Sequence, residues 1–247
     1  MAAMIGEGLT ERRADGWTCA HERAGSASKM TRGGNDRMTI QALALGNYSD
    51  AIYHPFAGVD KEIESIFRGR IDVRCTGDYG MLKEAYLSPY RLFISYTEFL
   101  PEKLSPERTG ALLSYVARGG GLLAIHNGIS LQRNQELVGL LGGIFTGHPE
   151  FAALPIRIRE PNHRIMDRVA LFTVEDEPYR FEFNPHMRTK ILAEYEHEGD
   201  WWPAAWTHDF GLGRVVYLMP GHRIEAFKAE GYRRLILNAG LWAAKAM

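Results

Sequence analysis

Apolar residues in this chain gather into short runs separated by turn-forming residues, and from Thr39 onward the runs alternate between two periods. Residues 40–45, 71–75 and 90–96 read as strands, while residues 61–67 space their apolar side chains along one helical face. Ser105-Pro106-Glu107-Arg108 has the form of a helix start, a serine cap followed by proline at the first helical position. The helix it predicts runs to Arg118, where three glycines break it. Leu122, Leu123, Ala124 and Ile125 then form a continuous apolar run, as a strand covered on both faces requires. Residues 130–141 place Leu131, Leu137, Val138, Leu140 and Leu141 on one face of a further helix. The second half is richer in strand, at residues 155–159, 170–174, 191–196 and 213–219, and residues 232–243 make a closing helix. This order predicts an α/β fold, a doubly wound, mainly parallel sheet with antiparallel additions in the second half.

Residues 1–38 have another texture, mixed charge with Gly, Ser and Thr and no sustained period, and are expected to be an extension outside the core. Residues 39–247 are expected to form one domain. A formal charge of −1 with no dense basic stripe argues against a nucleic-acid partner. No apolar stretch approaches the length of a membrane span, and no secretory signal opens the chain. Cys19 and Cys75 form no Cys-x-x-Cys pair, which suits a reducing cytoplasm. Leu45-Gly46-Asn47-Tyr48 stands where a dinucleotide-binding fold would carry its glycine-rich turn, so a nicotinamide cofactor is not expected. A homo-oligomer is left open.

The chemistry-bearing residues sit after strands. His126 ends the apolar run 122–125, His54 follows the first strand, and His222 follows residues 213–219. In open α/β sheets ligands bind beyond the carboxyl ends of the strands, so these three are expected at one edge. A strand-end histidine is also expected to contribute little to core packing. Each alone reads more readily as a structural histidine that caps a turn or satisfies backbone groups than as a site residue, and it is their common placement that favours a site. The same holds for His148 in Gly147-His148-Pro149, and Asp176-Glu177-Pro178-Tyr179 alone reads as a solvated acidic turn.

Taken in order, Tyr53-His54-Pro55, the glycine run leading to His126, Gly142 to Pro149, Asp176-Glu177-Pro178-Tyr179, Pro203 to Trp206, Gly211 to Arg214 and Gly221-His222 resemble the trehalose-utilisation (ThuA-like) family over residues 39–247. The resemblance implies the fold of class I glutamine amidotransferases, hence a flavodoxin-like sheet, and a role in sugar catabolism with trehalose and its 3-keto derivatives as associated substrates. It does not carry over glutaminase activity. The elbow that holds a nucleophilic cysteine in those enzymes holds His126 here, and neither cysteine is placed to help. At Asn162-His163-Arg164 the chain departs from the family pattern, which puts a site role for His163 in doubt.

A ketone at carbon 3 of a sugar acidifies the neighbouring C–H, and abstraction of that proton opens the way to isomerisation or elimination. Such chemistry needs a base effective near neutrality and a partner for the oxyanion. His126, Glu177, His222 and His54 are the candidate catalytic residues, with His126 or Glu177 as base. Asn127, His148, Tyr179, Trp202 and Arg223 are the candidates for binding the sugar. A divalent cation, zinc or manganese, is a candidate cofactor, since imidazoles and a carboxylate suit it. Two other readings remain, a non-catalytic sugar-binding or regulatory module and an accessory subunit of a sugar oxidoreductase.

Overall fold

The computed structural model describes residues 39–49, 51–98, 103–183 and 185–247, so the expected extension 1–38 and Cys19 lie outside the described residues. The strands are β1 (Ile40–Gly46), β2 (Ile71–Thr76), β3 (Leu92–Tyr96), β4 (Gly121–Ile125), β5 (Ile144–Gly147), β6 (Ala152–Ile158), β7 (Phe172–Asp176), β8 (Arg180–Glu182), β9 (Lys190–His197), β10 (Asp200–Phe210) and β11 (Gly213–Leu218). The helices are α1 (Val59–Phe67), α2 (Glu84–Leu87), α3 (Pro106–Ala117), α4 (Gln135–Leu141) and α5 (Glu230–Ala243). Nine strands form one sheet in the order β2-β1-β3-β4-β11-β10-β9-β6-β7, and β5 pairs with β8 separately. From β2 to β11 every pairing is parallel, and from β11 to β7 every pairing is antiparallel. The architecture is thus the expected α/β, flavodoxin-like one, with a parallel core and an antiparallel wing.

The parallel core follows from composition. β3 and β4 are buried at every position, as central strands with helices on both faces must be. α3 begins where its cap signal places it, with the Ser105 side chain accepting the Arg108 N–H and Pro106 in the first turn. Gly121 has a second reason to be glycine, since a Cβ there would stand 2.5 Å from the Ala243 carbonyl oxygen of α5.

Several elements differ from the expected pattern, β5, β8 and the short α2 among those not read from the sequence. The helix expected over residues 130–141 is a 3-10 segment, His126–Arg133, followed by α4. The break is Asn134, held extended because its amide bonds to both the N–H and C=O of Leu104 and to the Thr109 hydroxyl. Leu131, Leu137, Leu140 and Leu141 are nonetheless buried as the period requires. The strand expected at 170–174 is shifted two residues, which makes Asp176 its last member. β10, the longest strand, was not read from the sequence at all. Its tryptophans and Pro203 obscure the alternation, and its pairing with β9 slips between Pro203 and Trp206.

The antiparallel wing curls. β7 lies four strand steps from β11, which would put it about 19 Å away in a flat sheet. Yet the carboxylate of Asp176, at the end of β7, accepts the N–H of Gly221, just beyond β11, at 2.7 Å.

Candidate functional site

The curl brings four chain segments to the carboxyl edge of the parallel strands. The loop after β1 delivers His54, and it is tied down by Glu98, which follows β3. The buried Glu98 carboxylate accepts the N–H groups of Ile52 and Tyr53 at 2.9 Å and that of His54 at 3.4 Å. Asn47 reinforces the loop, its side-chain oxygen accepting from the Glu98 N–H and the Tyr79 hydroxyl. His126 leaves β4 with φ +45, a conformation costly for a residue with a Cβ. Its Nδ1 lies 2.7 Å from the Met219 carbonyl and its ring packs on Tyr179 at 4.2 Å between centroids. It is fully buried, so the expectation that a strand-end histidine contributes little packing is corrected. The strand ends inside the curled wing, where the ring becomes part of the interior.

Asp176, assigned no role on sequence grounds, organises the other side. It is fully buried and accepts the backbone N–H of Gly221 at 2.7 Å, Glu177 at 2.9 Å and His222 at 3.2 Å, with an oxygen 3.7 Å from His126 Nδ1. One carboxylate thereby positions Glu177 and His222 together. Adjacent carboxylates before a proline were the only signal for it in the sequence. Glu98 gave less, being one polar residue beyond a strand.

His54, His126, Glu177 and His222 converge, each offering one donor atom within 4.8 Å of the others. Glu177 Oε2 lies 3.0 Å from His222 Nδ1, 3.4 Å from His126 Nε2 and 3.9 Å from His54 Nε2. His54 Nε2 and His222 Nδ1 are 3.1 Å apart. His148 stands outside this group. Its Nε2 is 3.7 Å from Oε1, the other Glu177 oxygen, its Nδ1 meets the Pro149 carbonyl at 2.8 Å, and it is partly open to solvent.

Electrostatics divides the roles. Burial opposes ionisation of Glu177, but the contacts from His126, His222 and His54 outweigh it and hold the carboxyl far below the usual range. Burial, with the neighbouring His126 and His222, pushes His54 down to about 4 despite Glu177, so it is neutral at physiological pH. Burial raises Asp176, against the pull of His126 and its three backbone donors. Burial and the charges of Glu177 and Asp176 hold the Tyr179 phenol far above its ordinary value, keeping it protonated and able to donate.

The remaining sequence candidates are spread around this centre. Tyr179 is buried between His126, His148 and Phe145. Asn127 is fully buried and its amide donates to the Tyr96 carbonyl, while its own side-chain oxygen has no partner. Arg223 is exposed and stacks on Phe151 at 4.3 Å, and Phe151 in turn meets the edge of His222. Beside His222 opens a cavity of about 310 Å³ lined by Tyr53, Pro55, Ala57, Val59, Arg223 and Ile224 among others. Trp202 is not drawn into the cluster. It lies on β10 beneath the Arg180 guanidinium at 3.8 Å. Trp206 is fully buried and donates to the Leu141 carbonyl. His163 caps a 3-10 turn and packs on Trp242, away from the centre.

A family model described as trehalose utilisation matches residues 51–243. Among solved structures, a ThuA-like protein from Parabacteroides merdae is 19% identical with a TM-score of 0.70, over 83% of this chain and 90% of that one. A ThuA-like protein from Bacteroides uniformis is 16% identical with a TM-score of 0.69, over 85% and 94%. A cytoplasmic protein from Salmonella typhimurium is 17% identical with a TM-score of 0.62, over 83% and 99%. At these identities the likenesses show the fold. No curated protein matches the sequence. Among the described residues no helix is long and apolar enough to cross a membrane.

Proposed function

Because the chain belongs to the trehalose-utilisation (ThuA) family, a membership that supports a role in carbohydrate utilisation, we propose that it acts on a disaccharide or its 3-keto derivative by removing a proton next to the ketone. The observation that carries this reading is the convergence of the buried His54 and His126 with the half-buried His222 and Glu177, beside the more open His148, at the carboxyl edge of the sheet.

The base is His148. A carbonyl only accepts, so the Nδ1 that meets the Pro149 oxygen carries the ring hydrogen in the neutral form and Nε2 is left with a lone pair. Glu177 is a poor base, because a carboxyl held so far below its usual range binds a proton weakly. His126 is enclosed, with no exposed edge for a substrate carbon to approach. His148 Nε2 takes the proton from the carbon beside the ketone, and the C–H electron pair moves toward the carbonyl to give an enediolate whose oxyanion faces His54 and His222. Return of the proton elsewhere gives isomerisation. Departure of the neighbouring glycosidic oxygen, with the proton delivered to it, gives an unsaturated ketone and a free sugar. Arg223 on Phe151 and the exposed Tyr53 ring form the rim against which the second sugar unit lies. The setting proposed for the reaction is the cytoplasm.

The test is incubation with 3-keto-trehalose and related 3-keto-glycosides in D₂O, followed by NMR. Deuterium entering the carbon beside the ketone, or release of free sugar, is expected from the wild type and not from His148→Gln. Sugar binding without exchange or release would make the protein a binding module instead.

A further inference from the structure

With neutral rings, the donor atoms of the centre cannot satisfy one another with hydrogens alone. His126 Nδ1 is held on the Met219 carbonyl, which only accepts, so the ring hydrogen of the neutral imidazole is there and Nε2 bears a lone pair. That Nε2 is fully buried, has no hydrogen-bond partner, and faces Glu177 Oε2, another acceptor, at 3.4 Å. His222 Nδ1 stands 3.1 Å from His54 Nε2 and 3.0 Å from the same Oε2, so one ring hydrogen would have to serve two acceptors. A single positive ion among the four atoms resolves all of these conflicts.

We infer that His54 Nε2, His126 Nε2, His222 Nδ1 and Glu177 Oε2 form a binding site for one divalent transition-metal cation, zinc foremost. Three imidazoles and one carboxylate suit a borderline cation better than magnesium or calcium, which favour all-oxygen surroundings. Donors about 2.1 Å from a metal stand about 3.0 to 3.4 Å from their neighbours in tetrahedral or octahedral shells. Three of the observed separations, 3.0, 3.1 and 3.4 Å, fall in that range. The surroundings are also those of a metal site. The Met219 carbonyl fixes the tautomer of His126, and Asp176 fixes the backbone of Glu177 and His222. Glu177 Oε1 and His148 lie on the far side of the carboxylate, outside the four donors. This inference goes beyond the keto-sugar reading and does not need it.

The full chain is stripped with a chelator, dialysed against zinc, manganese or cobalt in turn, and assayed for bound metal per chain by mass spectrometry. About one zinc per chain is expected, and an intense visible absorption with cobalt if four donors surround it. Glu177→Gln and His222→Ala should weaken zinc at least about 100-fold, while His163→Ala, remote from the centre, binds as the wild type does. Circular dichroism of each stripped variant establishes that it is folded. The inference is overturned if the folded, stripped wild type takes up none of the three metals at micromolar concentration, or if folded Glu177→Gln and His222→Ala bind zinc as tightly as the wild type. No sugar enters this measurement. A chain that binds zinc but exchanges no deuterium into 3-keto-glycosides would end the proposed reaction and leave the metal site standing.

Discussion

Asp176 joins parts of the chain that are otherwise separate, and its replacement measures how much they depend on it. Asp176→Asn keeps the shape but turns an NH₂ group toward backbone N–H donors that now meet a carboxylate oxygen. A loss of about 3 kcal/mol is expected in urea unfolding, in the range for breaking a buried charged network. A loss below about 1 kcal/mol would show that the donors find other partners. His148→Gln is the opposite case. The partly exposed ring contributes little to the interior, so the thermal midpoint should stay within about 2 °C while turnover of a 3-keto-glycoside falls about 100-fold. His126→Ala falls between them, since a fully buried ring is lost and both stability and zinc binding should drop.

At the scale of elements, the 3-10 segment after β4 crosses β3 so closely that a Cβ on Gly128 would stand 2.2 Å from the Ser95 carbonyl oxygen. Gly128→Ala should cost about 2 to 3 kcal/mol in thermal or urea unfolding, because backbone on both sides has to shift. The segment also shows what the sequence could and could not tell. The apolar faces of β3, β4 and α3 and the strand-end positions of His54, His126 and His222 were legible, because they depend on local period, caps and the common direction of parallel strands. The break at Asn134 was not legible, because its cause is a partner 30 residues away. β10 was hidden by a run of aromatic residues that fill the interior and outer face of a bulged strand. Glu177 was drawn into the candidate group by its motif alone. Only the curl of the wing, a property of the whole sheet, brings it beside His126.

The wing also carries an ion-pair cluster, in which Glu194 receives Arg157 at 2.7 Å together with Arg159. Burial opposes ionisation of Glu194, but the two guanidinium groups prevail and its pKa is lowered. A carboxylate with a depressed folded pKa stabilises above the unfolded value and loses that contribution as pH falls toward the folded one. Wild type should therefore exceed Glu194→Gln by about 1 kcal/mol at neutral pH, and the gap should close as pH drops below the ordinary glutamate value of about 4.3. Unfolding curves of both proteins between neutral and acidic pH check the sign. Removal of residues 1–37 is expected to leave the thermal midpoint of the domain unchanged, which calorimetry of the shortened chain decides.

The curl makes the antiparallel wing, from β11 round to β7, an almost closed hoop that Asp176 latches at the mouth of the site. Unlatching the hoop and dismantling the centre are then one motion, and a ligand that grips the centre must hold the hoop shut. Protease sites in β6 and β7 should be cut more slowly as zinc occupancy rises, by the ratio that mass action sets, although most of those bonds lie far from the ion.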